Sequence, residues 1–219
     1  SDEWITKRTG IKERRVAAED EFPSDMGANA ARIAIQRAGI ELSDIDMIVC
    51  ATVTPDYLCM PSTACVLASK LGLRDVQAFD ISAACTGFIY ALSIAKAFIE
   101  SGMKKNVLIV GAEKYTSILN YEDRGTAFIF GDGAGAAIIS ATNKKEEAIV
   151  DVKCSSDGDY DHLIMTPGGG SKNPCSPEVV EQKLACIQMK GGETFKLAVK
   201  TLTSDVQEMF EKHKLNPED

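Results

Sequence analysis

The chain has 219 residues, 45% of them hydrophobic and 26% charged, and a net charge of −8. That is the composition of a globular protein with a sizeable core, and the acidic balance excludes general nucleic-acid binding. No apolar run approaches the roughly 18 residues of a membrane span, and the opening SDEWITKRTG has no signal-peptide core, so the expectation is a cytoplasmic protein with no membrane or nucleic-acid partner.

In chain order, SDMGANAARIAIQRAGI reads as a helix capped near Ser24 and stopped at Gly39. IDMIVCATV is a continuous apolar strand, PSTACVLASKLG a short helix opened by Pro61 and closed by Gly72, and VQAFDIS a second strand. A helix from about Cys85 to Ser101 follows, then the strand NVLIVGA. Strands alternating with helices, in runs too apolar for one wet face, imply a parallel sheet covered on both sides. TAFIFGDGAGAAIISA and EAIVDVKCSS read as successive strands around a glycine turn, and DGDYDHLIMTPGGGSKNPCSPEV as loop. A last amphipathic helix runs from about Glu193 to His213, with Phe195, Ala198, Leu202, Val206 and Met209 on one face.

Seven cysteines stand at irregular spacings with no CxxC pair, which excludes a zinc knuckle or a thioredoxin motif. Most are expected to be small buried hydrophobes in a reducing compartment. Cys85 differs. It stands among Ala83, Ala84 and Gly87 where the strand DIS turns into the helix. Unpaired N–H groups and the positive end of the helix dipole favour thiolate there. Polar groups on that helix fall only at Ser93, Lys96 and Glu100, a narrow stripe, so the rest is expected to be buried. The arrangement is a thiol version of a nucleophile elbow. Spacing alone does not separate that reading from one more small core residue.

Two other motifs fail on their context. GDGAGA is followed by the strand-like AAIIS rather than a helix, so it is not a dinucleotide fingerprint. DGDYDHLIMTPG imitates a calcium loop, but His162 replaces the glycine at its sixth position and Gly168 the final glutamate. No metal site is expected.

DISAACTGFIYAL closely resembles the nucleophile segment of the β-ketoacyl-acyl-carrier-protein synthase III family. SDEWITKRTGIKERR resembles that family's coenzyme A segment, DRGTAFIFGDGAGAAII its central signature, and KGGETFKLAV the opening of a later helix. The resemblance implies a thiolase-like α/β fold, a five-layered α-β-α-β-α core of two related halves, here incomplete. Residues 1–146 would be the N-terminal half without its first strand, and 147–219 the start of a truncated C-terminal half. It further implies a homodimeric acyltransferase of fatty acid synthesis. Cys85 is acylated by acetyl-coenzyme A and then condenses with malonyl-acyl carrier protein to give acetoacetyl-acyl carrier protein. No cofactor is implied; coenzyme A arrives with the substrate.

Residue by residue, the resemblance makes Cys85 the nucleophile and gives Trp4, Arg8 and Arg124 to the coenzyme A nucleotide, with Trp4 and Arg124 on the two faces of adenine. Met60 matches the side chain that a dimer partner inserts into the acyl pocket; Tyr115, Ile129, Phe130 and Phe195 fall near its other walls. Lys7, Arg8, Lys12, Arg14 and Arg15, interrupted by Glu13, form a basic patch suited to phosphates or to an acidic carrier protein. The family's catalytic histidine lies in a Pro-His-Gln-Ala-Asn string that does not occur here, and a later asparagine completes its triad. His162 and His213 match no catalytic position. Residues 1–219 alone are therefore expected to be inactive. The alternatives are a ketosynthase-like protein that binds an acyl thioester or a partner without condensing it, and a starter polyketide synthase.

Overall fold

The computed structural model describes residues 1–218. They form two units that interleave along the chain: Glu13–Ser117 with Gly131–Cys154, and Ser1–Lys12 with Ile118–Phe130 and everything described from Ser155 onward. The border expected at 146/147 therefore does not coincide with a border between compact units.

In the first of these, α2 (Pro23–Ala38; α1 belongs to the other unit) leads to β1 (Met47–Ala51), α3 (Thr63–Leu71), β2 (Gln77–Ile81), α4 (Gly87–Glu100), β3 (Asn106–Lys114) and β4 (Asp132–Ser140). The sheet order is β2-β1-β3-β4. β1 runs parallel to both neighbours, with Ala51 opposite Ile81 and Gly111, while β4 is antiparallel to β3. Strand periodicity then sorts the side chains. Ile48, Cys50, Leu108 and Val110 face α2 and α3, where Ala31, Ile35, Ala64 and Leu67 are buried. Met47, Val49, Val107 and Ile109 face α4 through Ala91 and Ala95. Every residue of β1 is buried, as the continuous apolar run requires of a strand covered on both faces.

The other unit contains α1 (Asp2–Thr9), a two-stranded pair β5 (Ile164–Met165) and β6 (Gln188–Met189), α5 (Pro177–Glu181) and α6 (Gly191–His213). The Ile187 N–H donates to the Ile118 carbonyl at 2.8 Å, tying the segment before β6 to the end of the central turn.

Several expectations are corrected. Ser24 is not the cap of α2: the cap position is Phe22, whose N–H donates to Asp25, and Ser24 is buried against Asp56. Ser62, not Pro61, caps α3, accepting from the Cys65 N–H. TAFIF is a run of turns rather than a strand, because Thr126 and Ala127 donate their N–H groups back to Asp123 and Ile129 donates to Thr126. EAIVDVKCSS contains no strand; a short 3-10 turn at Lys145–Glu147 precedes irregular chain. α6 starts two residues early and buries none of its residues; Phe195 is 69% exposed, so the face expected to be core is open among the described residues. α4 is likewise less covered than expected, burying only Gly87, Ala91 and Ala95. Most cysteines are not buried either: Cys50 alone is, while Cys59, Cys65, Cys85 and Cys175 are exposed.

Candidate active site

The carboxyl ends of β1, β2 and β3 lie side by side, the place where open α/β sheets build their sites. Cys85 leaves the end of β2. The expected helix does not begin at Cys85: a single 3-10 turn, Ala84–Thr86, intervenes, and α4 starts at Gly87. Ala84 has φ +45°, a left-handed conformation that costs a residue with a Cβ about 1–2 kcal/mol. The turn is held by Thr86, whose N–H and hydroxyl both donate to the Ala83 carbonyl, at 3.2 and 2.9 Å. Gly87 lets the helix start close to β1, since a Cβ there would sit 3.0 Å from the Ala51 Cβ. The result is an exposed thiol on a strained elbow. Cys50 is the opposite case. Burial, with Asp80, Glu113 and Asp56 nearby, pushes its thiol far up and keeps it a thiol.

Tyr115 follows β3 directly, in the unit that holds Cys85. Burial raises its phenol well above its ordinary value, and the charges of Glu113 and Cys85 add to the shift. Of the expected pocket residues, Tyr115 and Met60 share a unit with Cys85. Met60 lies in the loop after β1, at a cis Met60–Pro61 bond and 79% exposed. Ile129, Phe130 and Phe195 belong to the other unit. Ile129 and Phe130 are partly buried there, and Phe195 stands exposed at the start of α6.

The residues expected to hold the nucleotide lie close together in the other unit. Trp4, on α1, presents its edge to Phe128 at 6.1 Å, and the Arg8 guanidinium lies 4.5 Å over the indole. Ser1, Trp4, Ile5, Arg124, Ala127 and Phe128 line a cavity of about 510 Å³. Arg124 is aimed by a local knot. Asp123 accepts from the Gly125 N–H and the Thr126 hydroxyl, each at 2.8 Å, leaving Arg124 exposed at the apex. In the basic patch, Arg15 is paired with Glu13. His162 is half-exposed, with Nδ1 3.7 Å from Asp161, and His213 ends α6.

Sequence reasoning missed a set of carboxylates beneath the site. Asp80 accepts from the Thr63 and Ala64 N–H groups, at 2.6 and 2.7 Å. Asp56 accepts from the Ser24 N–H and hydroxyl. Asp132 accepts from the Ala17 and Thr116 N–H groups and from the Thr116 hydroxyl. Glu113 ends β3. Burial lifts its carboxyl above the ordinary value, opposed by hydrogen bonds from Thr54, Val53 and Thr52. The available signal was an acidic residue closing each of two otherwise apolar runs, in AFD and VGAE.

Comparison with known proteins agrees with these features. Residues 79–158 match the family model for 3-oxoacyl-[acyl-carrier-protein (ACP)] synthase III. The chain is 73% identical to the β-ketoacyl-[acyl-carrier-protein] synthase III of Aliarcobacter butzleri and 64% identical to that of a Sulfurovum species. Each alignment covers 100% of this chain, and 66% and 64% of those proteins. The chain thus spans a little under two thirds of the length of the relatives it matches. The crystal structure of the 3-oxoacyl-[acyl-carrier-protein] synthase III of Aquifex aeolicus superposes with a TM-score of 0.88 at 42% identity, over 100% of this chain and 65% of that one. The fold is therefore thiolase-like, and the mixed sheet between α2/α3 and α4 supplies three of its layers.

Proposed function

The chain belongs to the 3-oxoacyl-[acyl-carrier-protein] synthase III family, and on that footing we propose that Cys85 is the nucleophile of an acyl-transfer and condensing reaction. The Cys85 thiolate adds to the thioester carbonyl of acetyl-coenzyme A, and collapse of the tetrahedral adduct expels coenzyme A and leaves an acetyl thioester on Cys85. Malonyl-acyl carrier protein then loses carbon dioxide. The carbanion so formed attacks the acetyl carbon, and Cys85 departs as thiolate while acetoacetyl-acyl carrier protein is released. Backbone N–H groups at the elbow serve the oxyanion. Trp4 and Arg124 take the adenine, and Arg8 a phosphate. By the family resemblance, Tyr115, Ile129, Phe130 and Phe195 are assigned to substrate binding, and Met60 to a position contributed by a second protomer of a homodimer. No cofactor is needed, and the reaction belongs in the cytoplasm, where both thioesters are made. No described helix is long and apolar enough to cross a membrane.

The observation that carries this reading is an exposed cysteine on a left-handed elbow at the carboxyl end of the sheet. Incubating the protein at its natural length with acetyl-coenzyme A should add one acetyl group, mapped to Cys85 by mass spectrometry and absent in Cys85→Ala. Acetylation elsewhere, or none, removes the proposal.

For residues 1–219 taken by themselves a second reading is favoured, thioester binding without condensation. Neither of their two histidines, His162 beside Asp161 and His213 at the end of α6, falls in a Pro-His-Gln-Ala-Asn string.

A further inference from the structure

The three strands that reach the site end on one carboxylate. Glu113 Oε1 accepts the Val53 N–H at 2.9 Å. Its Oε2 accepts the Thr54 N–H at 3.1 Å, the Thr54 hydroxyl at 2.5 Å and, more weakly, the Thr52 hydroxyl at 3.4 Å. Thr54 Oγ1 in turn accepts the Lys114 N–H at 2.8 Å, one residue before Tyr115. The Thr52 N–H donates to the Ile81 carbonyl at 3.2 Å, four residues before Cys85. Thus the end of β1 is bound to Glu113 directly, the end of β3 through Thr54, and the end of β2 through Thr52. From these ends leave the Met60 loop, Tyr115 and Cys85.

We propose that Glu113 is a positioning residue: its carboxylate locks the three strand ends together and so fixes Cys85, Tyr115 and the Met60 loop relative to one another. The donor set requires a carboxylate. N–H and O–H donors reach both oxygens, and a carboxamide has one acceptor and one donor end. A glutamine would therefore turn an N–H either toward Val53 or toward Thr54, leaving a partly buried donor without an acceptor. Aspartate keeps both acceptors on a shorter arm. Thr54→Val removes the link between Glu113 and Lys114 without touching the carboxylate.

The inference rests on the proposed function for one of its two readouts. The first is single-turnover acetyl transfer from acetyl-coenzyme A to Cys85, in the protein at its natural length, below each variant's melting temperature. Glu113→Gln is expected to lower the maximal rate about ten- to hundredfold, the scale on which a misplaced reacting group slows a reaction. The half-saturating acetyl-coenzyme A concentration should stay within about twofold, because the nucleotide cavity is built elsewhere. Glu113→Asp should recover part of the rate, and Thr54→Val should slow it as Glu113→Gln does. The second readout needs no substrate: the iodoacetamide labelling rate of Cys85 divided by that of Cys65, also exposed and in the same unit. That ratio should move about threefold or more in Glu113→Gln and in Thr54→Val, and less in Glu113→Asp. A folded Glu113→Gln or Thr54→Val protein with rate and ratio both unchanged overturns the inference. So does a change confined to half-saturation. If the unsubstituted protein accepts no acetyl group, the proposed function falls, and the labelling ratio alone decides the role of Glu113.

Discussion

At the residue scale, two side chains with different neighbours yield two predictions. Trp4 holds Arg8 over its ring and Phe128 at its edge, and its indole is still 48% exposed in a cavity shared with Arg124. A half-exposed indole in a cavity that also holds a guanidinium can stack on a flat base. Trp4→Ala and Arg124→Ala should each weaken coenzyme A binding by about 1–3 kcal/mol, the range for base stacking on aromatic side chains. Calorimetry on the protein at its natural length checks this, and unchanged affinity in both variants assigns the two to plain surface. Asp25 sits at the first turn of α2, 2.5 Å from Lys70 Nζ. The hydrogen bond from Lys70, with help from the Phe22 N–H, holds its carboxyl below the ordinary 3.8. A depressed folded value means that the contribution is present above the unfolded value and is lost as pH falls through the folded one. The pair is about one third exposed, so it is screened and contributes about 1 kcal/mol or less. The melting temperature should therefore fall as pH is lowered through 3.8 and below, and Asp25→Asn should flatten that limb, as followed by circular dichroism.

At the element scale, what was legible depended on whether a segment's own pattern decided its structure. β1 and β3 were legible because their apolar runs are buried on both faces, and α3 ended where Gly72 allowed a left-handed cap. TAFIF misled because β-branched and aromatic residues there are overruled by the Asp123 side chain, which draws the chain into turns. The elbow was legible as a place but not in its geometry. Small residues around Cys85 marked a close approach, yet nothing in them announced that Ala84, rather than a glycine, would take the left-handed turn. The glutamate and aspartates beneath the site were hardly legible in the sequence, since their partners lie 16 to 115 residues away. The close approach can be tested directly. In Gly87→Val the new Cβ meets the Ala51 Cβ at 3.0 Å, and that neighbour is backbone-anchored rather than a flexible tip. The variant should lose about 1–3 kcal/mol, as overpacked sites do. Chemical denaturation measures the loss, and labelling of Cys85 should change with it because the displaced helix start carries the elbow. Stability within about 0.5 kcal/mol of the parent would show that the helix moves aside freely.

At the scale of the whole molecule, acylation and condensation call for different groups. Acylation needs a thiolate and oxyanion donors, and Cys85 at the elbow before α4 meets that description. Condensation also needs donors that stabilise the carbanion left when malonyl loses carbon dioxide. Within residues 1–219 the histidines are His162, half-exposed in a loop beside Asp161, and His213 at the last position of α6. No Pro-His-Gln-Ala-Asn string occurs. The open apolar face of α6, with Phe195, Val199, Leu202 and Val206 exposed, adds a physical difficulty, since unpartnered apolar surface of that kind favours association over a defined pocket. Groups that act as a unit are not replaced by the one that remains. We therefore predict no condensing activity from residues 1–219 alone. The purified 219-residue chain is incubated with acetyl-coenzyme A and malonyl-acyl carrier protein beside the protein at its natural length. Acetoacetyl-acyl carrier protein should form only in the second sample. Product from the 219-residue chain that vanishes in its Cys85→Ala version would mean that side chains within this span stabilise the carbanion, and that the division between acylation and condensation drawn from these residues is wrong.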